Sequence, residues 1–329
     1  MIRAAIVGLG RWGQNLVECT QGKSEKIRFT AGVARTRATA APFADRHGIA
    51  LAADYAAALA DPGVDAVVLA TPHTQHADQI IAAARAGKHV FTEKPFALTA
   101  ASAEAAAREC AKTGRVLAVG FNWRYQPALQ EIRHMLADGR LGRLLHIEGN
   151  FNGPSVYRFP REHWRQQRDE GPAGGMTGRG VHVVDAMLYL AGRVASVYAQ
   201  SERLALDYGL DDTTSMLFRY AGGATGYLGT VIATAECWRL QVFGSKGWAV
   251  VGSIPHLHTW SLTTCMVNAQ PTVIDYAQQS TERDELDGFA DAIERGIAYA
   301  CPPEDAVHGV AVLEAIVASA RSGRRETIT

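Results

Sequence analysis

Over residues 1–121, short apolar runs alternate with alanine-rich stretches of helical character, which predicts a parallel sheet joined by crossover helices on both faces. The predicted strands are 3–7, 28–34, 66–70, 89–92 and 116–120. Their runs are apolar rather than alternating, as expected of strands covered on both sides. Between the last two, residues 97–113 read as helical, with Thr99 as N-cap and Gly114 as the stop.

The texture changes after Phe121, which sets a predicted boundary between domains 1–121 and 122–329. Residues 127–137 read as one helix. Residues 143–151 then alternate, with Leu145, Ile147, Gly149 and Phe151 on one face and His146, Glu148 and Asn150 on the other, the mark of a half-buried strand. The stretch 152–179, rich in Gly, Pro, Arg and aromatics and without periodicity, reads as a long functional loop. Strands at 215–220, 227–233, 240–243 and 248–251 are separated by glycine-bearing turns short enough for hairpins, so an open, mostly antiparallel sheet is expected. Two helices close the chain, with apolar stripes Leu286, Phe289, Ile293, Ile297 and Val307, Val310, Leu313, Val317. The fold class is therefore α/β throughout.

A length of 329 residues with 47% hydrophobic and 20% charged content is enough for two cores. Thirty-three basic side chains balance thirty-three acidic ones, which argues against nucleic acid or an anionic membrane as partner and for a small molecule. No apolar run approaches the roughly 18 to 20 residues needed to span a bilayer. Strand-like sequence begins at Ile2 with no leader pattern before it, so a cytoplasmic location is expected. Five scattered cysteines without a C-x-x-C pair read as free thiols. The pairs His73/His76 and His256/His258 have metal-like spacing but no accompanying ligands, and no metal is expected.

Two signatures carry chemistry. Gly8-Leu9-Gly10-Arg11-Trp12-Gly13 follows the first strand and opens a helix. Its first glycine permits a tight turn, its second lets backbone approach a pyrophosphate, and its third lets helix pack on strand. The helix N-terminus then meets the anion with unpaired N–H groups and a positive dipole end. A dinucleotide is the expected cofactor. The second strand ends in Ala34-Arg35-Thr36-Arg37, without the carboxylate that would bind a ribose 2′-OH. Two guanidinium groups suit a 2′-phosphate, so NADP is preferred over NAD. Thr71-Pro72 and His76 lie at the carboxyl edge of the sheet, where residues can face the cofactor.

Glu93-Lys94-Pro95 closes the strand at 89–92 and fixes a lysine at the same edge, where its ammonium can polarise a substrate hydroxyl or relay its proton. Further on, Gly174-Gly175-Met176-Thr177-Gly178-Arg179-Gly180 leads into a helix. There Val181, Val184 and Leu188 form the predicted buried stripe, while His182, Asp185 and Tyr189 share another face. A histidine can take an alcohol proton as hydride leaves the same carbon, and a carboxylate one turn on can orient it.

These motifs resemble the glucose-fructose oxidoreductase, inositol dehydrogenase and rhizopine-catabolism (Gfo/Idh/MocA) family almost end to end. The likeness includes the glycine turn, Thr71-Pro72 with His76, Gly87-Lys88-His89-Val90 leading to Glu93-Lys94-Pro95, and Gly120-Phe121-Asn122 with Arg124-Tyr125. It continues through His182-x-x-Asp185, Gly244-Ser245-Lys246-Gly247 and the closing helices. The resemblance implies an NAD(P)-binding Rossmann domain followed by an α/β domain whose open sheet supports homodimers or homotetramers. It also implies hydride transfer between nicotinamide and a hydroxyl-bearing substrate, often a sugar or polyol. Lys94 and His182 are then the catalytic residues, with Arg11, Trp12 and Glu93 among the cofactor contacts. Arg124, Tyr125, Trp164, Arg165, Arg179 and Asp185 fall in segments that would line the substrate pocket.

One position departs from the family pattern. Four residues before the histidine the family often has aspartate, and here stands Gly178. With that acceptor lost and Arg158, Arg161, Arg165, Arg168 and Arg179 around one loop, an acidic substrate such as a carboxylated cis-dihydrodiol enters beside sugars and polyols. Two other readings follow from the same residues: a non-catalytic dinucleotide sensor, and a lyase or glycosidase that borrows hydride and returns it.

Overall fold

The computed structural model describes residues 1–253 and 260–328. In its first part the chain runs β1 (Ile2–Val7), α1 (Arg11–Thr20), β2 (Ile27–Val33), α2 (Arg37–Arg46), β3 (Ala50–Leu51), α3 (Tyr55–Ala60) and β4 (Ala66–Leu69). It continues through α4 (His76–Arg85), β5 (His89–Thr92), α5 (Ala100–Thr113) and β6 (Leu117–Val119). These strands form one parallel sheet in the order β3-β2-β1-β4-β5-β6. β1 and β4 are the neighbours at which the strand order reverses, and a doubly wound sheet opens its ligand crevice at that point. Every residue of β4 is buried, as the apolar run requires. α5 begins where its cap residue dictates: the Thr99 side chain accepts a hydrogen bond from the Ser102 N–H, and Gly114 ends the helix in the left-handed region.

The second part begins with α6 (Pro127–Ala137), β7 (Leu144–Asn152), α7 (Val181–Ala191), β8 (Val194–Glu202), β9 (Thr213–Tyr220) and β10 (Thr225–Val231). Then come β11 (Cys237–Gly244), β12 (Gly247–Ser253), β13 (Ser261–Met266) and β14 (Thr272–Asp275). With α8 (Thr281–Arg295), α9 (Pro303–Ser322) and β15 (Glu326–Thr327) the chain ends. The second sheet runs β14-β13-β12-β11-β7-β10-β9-β8-β15 and is antiparallel except for the parallel pair β7 and β10.

Two compact units result: Met1–Asn122 with Ser280–Val307, and Trp123–Gln279 with His308–Thr329. The predicted cut after residue 121 therefore omits a return, because 280–307 packs with the first sheet. α8 supplies the reason: Leu286, Phe289 and Ala290 are fully buried, and the Phe289 ring lies 5.9 Å from that of Phe91 on β5.

Other expectations also shift. Ile297 lies beyond the left-handed Gly296 that ends α8 and is exposed, so it does not extend the α8 stripe. On α9 the buried line is Ala306, Val310, Leu313 and Ile316 rather than one through Val307 and Val317, which are half-buried. β10 and β11 make no hairpin, since β7 inserts between them. Leu145 is exposed despite its alternating position.

Candidate functional site

The first unit builds the glycine turn at the carboxyl end of β1. Gly8 has φ +99°, and a Cβ there would lie 2.6 Å from the carbonyl oxygen of Ala70, the residue after β4. Only glycine lets the two strand ends approach this closely. At Gly13 a Cβ would fall 2.0 Å from the Gly8 carbonyl oxygen, so the third glycine is what lets α1 press on the turn. Gly10 is different: nothing lies within 4 Å of the Cβ it lacks, and as N-cap of α1 it makes no side-chain cap. The first N–H groups of α1 thus open onto clear space beside a positive helix end, a cradle that fits a pyrophosphate. Arg11 is exposed and Trp12 half-buried on the first turn of the same helix.

Arg35, Thr36 and Arg37 are exposed in the turn from β2 to α2. The Arg37 guanidinium donates to the Ala52 carbonyl, which holds the turn against the chain after β3. Thr71 follows β4 and its hydroxyl donates to Gln79 Oε1 at 2.6 Å, while Pro72 leads into a single helical turn at His73–Gln75.

His76 has a task that the spacing of residues did not reveal. It is fully buried, with Nδ1 2.9 Å from the Pro95 carbonyl oxygen and Nε2 3.0 Å from that of Thr71. A neutral imidazole donates to one of these two carbonyls, and the ring ties the turn after β4 to the turn after β5. Lys94 sits in the second of those turns. The strand before it stays in register, because the Glu93 N–H donates to Leu69 O at 2.9 Å and the Gly120 N–H to Thr92 O at 2.9 Å. Lys94 is half-buried and Glu93 buried. Burial pushes the Glu93 carboxyl above its usual range, opposed by the Lys94 charge and the Trp12 indole.

The second unit carries His182. α7 is buried on every side from Val181 to Leu188, not along one stripe, and Tyr189 at its end is half-buried. The expected polar face of His182 and Asp185 is therefore interior, and both are enclosed by side chains the motif reading passed over. The His182 ring stacks on Trp123 with centroids 5.4 Å apart and planes 19° apart, and Phe151 of β7 lies 6.2 Å away. Trp238 of β11 backs Trp123 at 4.4 Å. Next to Trp123, Arg124 grips Asp185: Nε donates to Oδ1 and Oδ2 at 3.1 and 3.0 Å, and Nη2 to Oδ1 at 2.7 Å. Consecutive residues of one turn thus hold α7 at two points three residues apart. Arg124 and Asp185, expected as substrate contacts, are partners of each other, with side chains 2% and 4% exposed. Tyr125 is half-buried and its carbonyl accepts from Gln279 Nε2 at 2.9 Å.

The expected loop 152–179 carries more order than its sequence suggested. It holds helical turns at Ser155–Tyr157 and Trp164–Gln166, and one wide turn at Met176–Gly180. Val156 packs with Leu210 and Ile232. Its arginines are engaged with the chain's own groups. Arg179 donates to Ser155 Oγ at 2.7 Å, to Asn152 O at 3.0 Å and to Glu236 Oε1 at 3.3 Å. Arg158 meets the same Glu236 at 3.2 Å, and Arg168 meets Asp211 at 2.7 Å. Arg165 lies over the Trp164 ring, 4.2 Å from its centroid. These internal partners weaken the case for an acidic substrate. At Gly178 an added Cβ would meet nothing within 4 Å, so the missing carboxylate leaves open space. Among the described residues no group of three or more His, Cys, Asp or Glu is arranged for a metal; His256 and His258 lie outside the described residues.

Residues 2–121 match the oxidoreductase family with NAD-binding Rossmann fold (GFO_IDH_MocA), and residues 129–250 match the GFO/IDH/MocA C-terminal domain. The chain belongs to the Gfo/Idh/MocA oxidoreductase family. It is similar to scyllo-inositol 2-dehydrogenase (NAD(+)) of Bacillus subtilis, 27% identical over 98% of this chain and 95% of that protein. Trans-1,2-dihydrobenzene-1,2-diol dehydrogenase of Sus scrofa is 30% identical over 68% of this chain and 66% of its own length. Among solved structures, aldose-aldose oxidoreductase from Caulobacter crescentus superposes with a TM-score of 0.90 at 26% identity, covering 99% of both chains. No helix among the described residues is long and apolar enough to cross a membrane.

Proposed function

We propose that this family member is an NAD(P)-dependent dehydrogenase or reductase acting on a CH–OH carbon of a small molecule. The observation that carries the reading is the first sheet's carboxyl edge. There the Gly8 and Gly13 close approaches open the α1 N-terminus to a pyrophosphate, and Lys94 closes a strand of the same sheet. A bound nicotinamide supplies the hydride acceptor or donor. His182 is the principal acid or base for the hydroxyl proton, its ring orientation fixed by Trp123 and Phe151. Lys94 provides positive charge for the developing alkoxide and a proton relay. Replacing Lys94 by Met is expected to lower turnover about 100-fold or more while cofactor affinity stays within a few fold. Unchanged turnover on the true substrate would remove Lys94 from the mechanism.

NADP is the preferred cofactor in this reading, supported by the exposed Arg35 and Arg37 and the lack of a carboxylate between β2 and α2. A charge-assisted hydrogen bond contributes about 1.5 to 3 kcal/mol. Arg35→Ala with Arg37→Ala should therefore raise KM for NADP roughly 10-fold or more and leave that for NAD nearly unchanged. The substrate is a sugar, polyol or dihydrodiol, and the open position at Gly178 favours one bulkier or less hydroxylated on that side than a typical polyol. A panel of these compounds, followed at the nicotinamide absorbance, tests the class. Net NAD(P)H formation separates a dehydrogenase from a lyase that returns its hydride, and its absence throughout the panel would point to a sensor. A homodimer or homotetramer through the open sheet is supported by exposed Leu217 and Tyr227, which are cross-strand partners on β9 and β10. The free thiols suit a reducing, cytoplasmic setting.

A further inference from the structure

Behind Lys94 the first unit buries a second carboxyl that neither the motifs nor the reaction uses. Glu285, on the buried face of α8 with Leu286 and Phe289, is 1% exposed, and Glu93 is 6% exposed. α8 packs on β5, the strand that Glu93 and Lys94 close. Glu93 Oε1 and Glu285 Oε2 are buried atoms without a hydrogen-bond partner among the described residues. Two ionised carboxylates in this setting would repel in a medium of low dielectric, with one ammonium to answer both.

We propose that Glu285 keeps its carboxyl proton at neutral pH, so that Glu93 alone is charged beside Lys94 and Glu285 acts as a positioning residue for that lysine. The proposal rests on Lys94 being the charged group of the reaction edge. Sequence order assigns the roles: Glu93 adjoins Lys94, while Glu285 comes from another element. The charged and titratable neighbours agree. Burial first, then the carboxylates of Glu93 and Glu282, push Glu285 well above the usual range; Lys94 opposes them and Asp284 adds to them. Cys19 of α1 faces the same group, and burial, with Glu282 and Glu285, holds its thiol up at about 11, so it brings no charge near neutrality. A neutral Glu285 leaves one negative charge opposite one positive charge. Loss of its proton would leave two negative charges against one positive charge.

The linkage has a definite sign. A carboxyl whose folded pKa is raised contributes stability that is complete below its unfolded value, near 4.5, and is lost as pH rises toward the folded value. Each pH unit within that window should change the unfolding equilibrium about tenfold for the one retained proton.

The test is infrared spectroscopy of the full-length protein near pH 7. The expected result is a protonated-carboxyl C=O band that shifts in D2O and disappears in Glu285→Gln, whose amide mimics the neutral acid in shape. As pH rises above about 5 toward the raised folded value, that variant should also gain stability over the wild type by close to tenfold per unit. Absence of the band in the wild type, its persistence in Glu285→Gln, or parallel stability curves would overturn the proposal. Should Glu285→Gln fail to fold, Glu93→Gln decides: the band must persist in that variant, and its loss there would assign the proton to Glu93 and overturn the proposal. Because neither readout needs turnover, a chain that shows the band but transfers no hydride would refute the dehydrogenase reading and leave the neutral Glu285 standing.

Discussion

Replacing Arg124 by Met, or Asp185 by Asn, removes one half of an ion pair whose side chains are 2% and 4% exposed and joined by three hydrogen bonds of 2.7 to 3.1 Å. The partner left behind is a charge in the interior of the second unit without its counter-ion. Such a loss costs about 3 to 5 kcal/mol, far above the 0 to 1 kcal/mol of an exposed pair. With a urea slope of about 1 to 3 kcal/mol per molar, the midpoint should fall by roughly 1 to 5 M. The double replacement removes both charges, so it should cost less than the sum of the singles by about 2 kcal/mol or more. Urea titrations of wild type, both singles and the double, read by circular dichroism, give the coupling directly. Turnover should fall in the singles as well, because Asp185 lies one turn from His182 and the same short segment holds both. Singles within about 1 kcal/mol of wild type, with additive effects and a rise confined to substrate KM, would refute the structural role and return the pair to substrate binding.

Gly13→Ala forces a methyl group to within 2.0 Å of the Gly8 carbonyl oxygen, so α1 or the turn must shift. Cofactor affinity measured by fluorescence titration should fall about 5-fold to 150-fold, from a strain of about 1 to 3 kcal/mol. By contrast Gly178→Asp enters open space and should fold with a stability within about 0.5 kcal/mol of wild type. It should raise kcat/KM for polyols relative to dihydrodiols, and a preference that does not move would divorce Gly178 from specificity. Trp123→Ala takes away a fully buried ring stacked on His182, with an expected cost of about 3 to 5 kcal/mol and a fall in kcat larger than any change in cofactor affinity. Burial pushes the Cys110 thiol up to about 12, so in a mass-spectrometric labelling experiment near pH 8 exposed Cys237 should react first.

Much of the first sheet was legible because its signals are local. An apolar run bounded by glycine, a threonine before an alanine-rich stretch, and three glycines at fixed offsets each act within a few residues of themselves. The segments at 66–69, 89–92 and 100–113 lie where those signals put them. β8, β13 and β14 were not anticipated; β13 and β14 are short, and β8 is placed in part by its pairing with β15, far away in sequence. The insertion of β7 between β10 and β11 belongs to the same class, a pairing that no adjacent turn dictates.

The site divides in the same way. Sequence alone determined that this chain has a dinucleotide turn, a lysine fixed at a strand end, and a histidine with an aspartate one helical turn beyond it, because spacing along a strand or helix is enough to place such residues on one face. Tertiary structure alone decided what those side chains do with their neighbours. It made His76 a tie between two turns, joined Arg124 to Asp185, gave the loop arginines to Glu236 and Asp211, and brought Glu285 behind the turn of Glu93 and Lys94. Charge and hydrogen bonding act through space, and residues 93 and 285 become neighbours only when α8 folds back on β5.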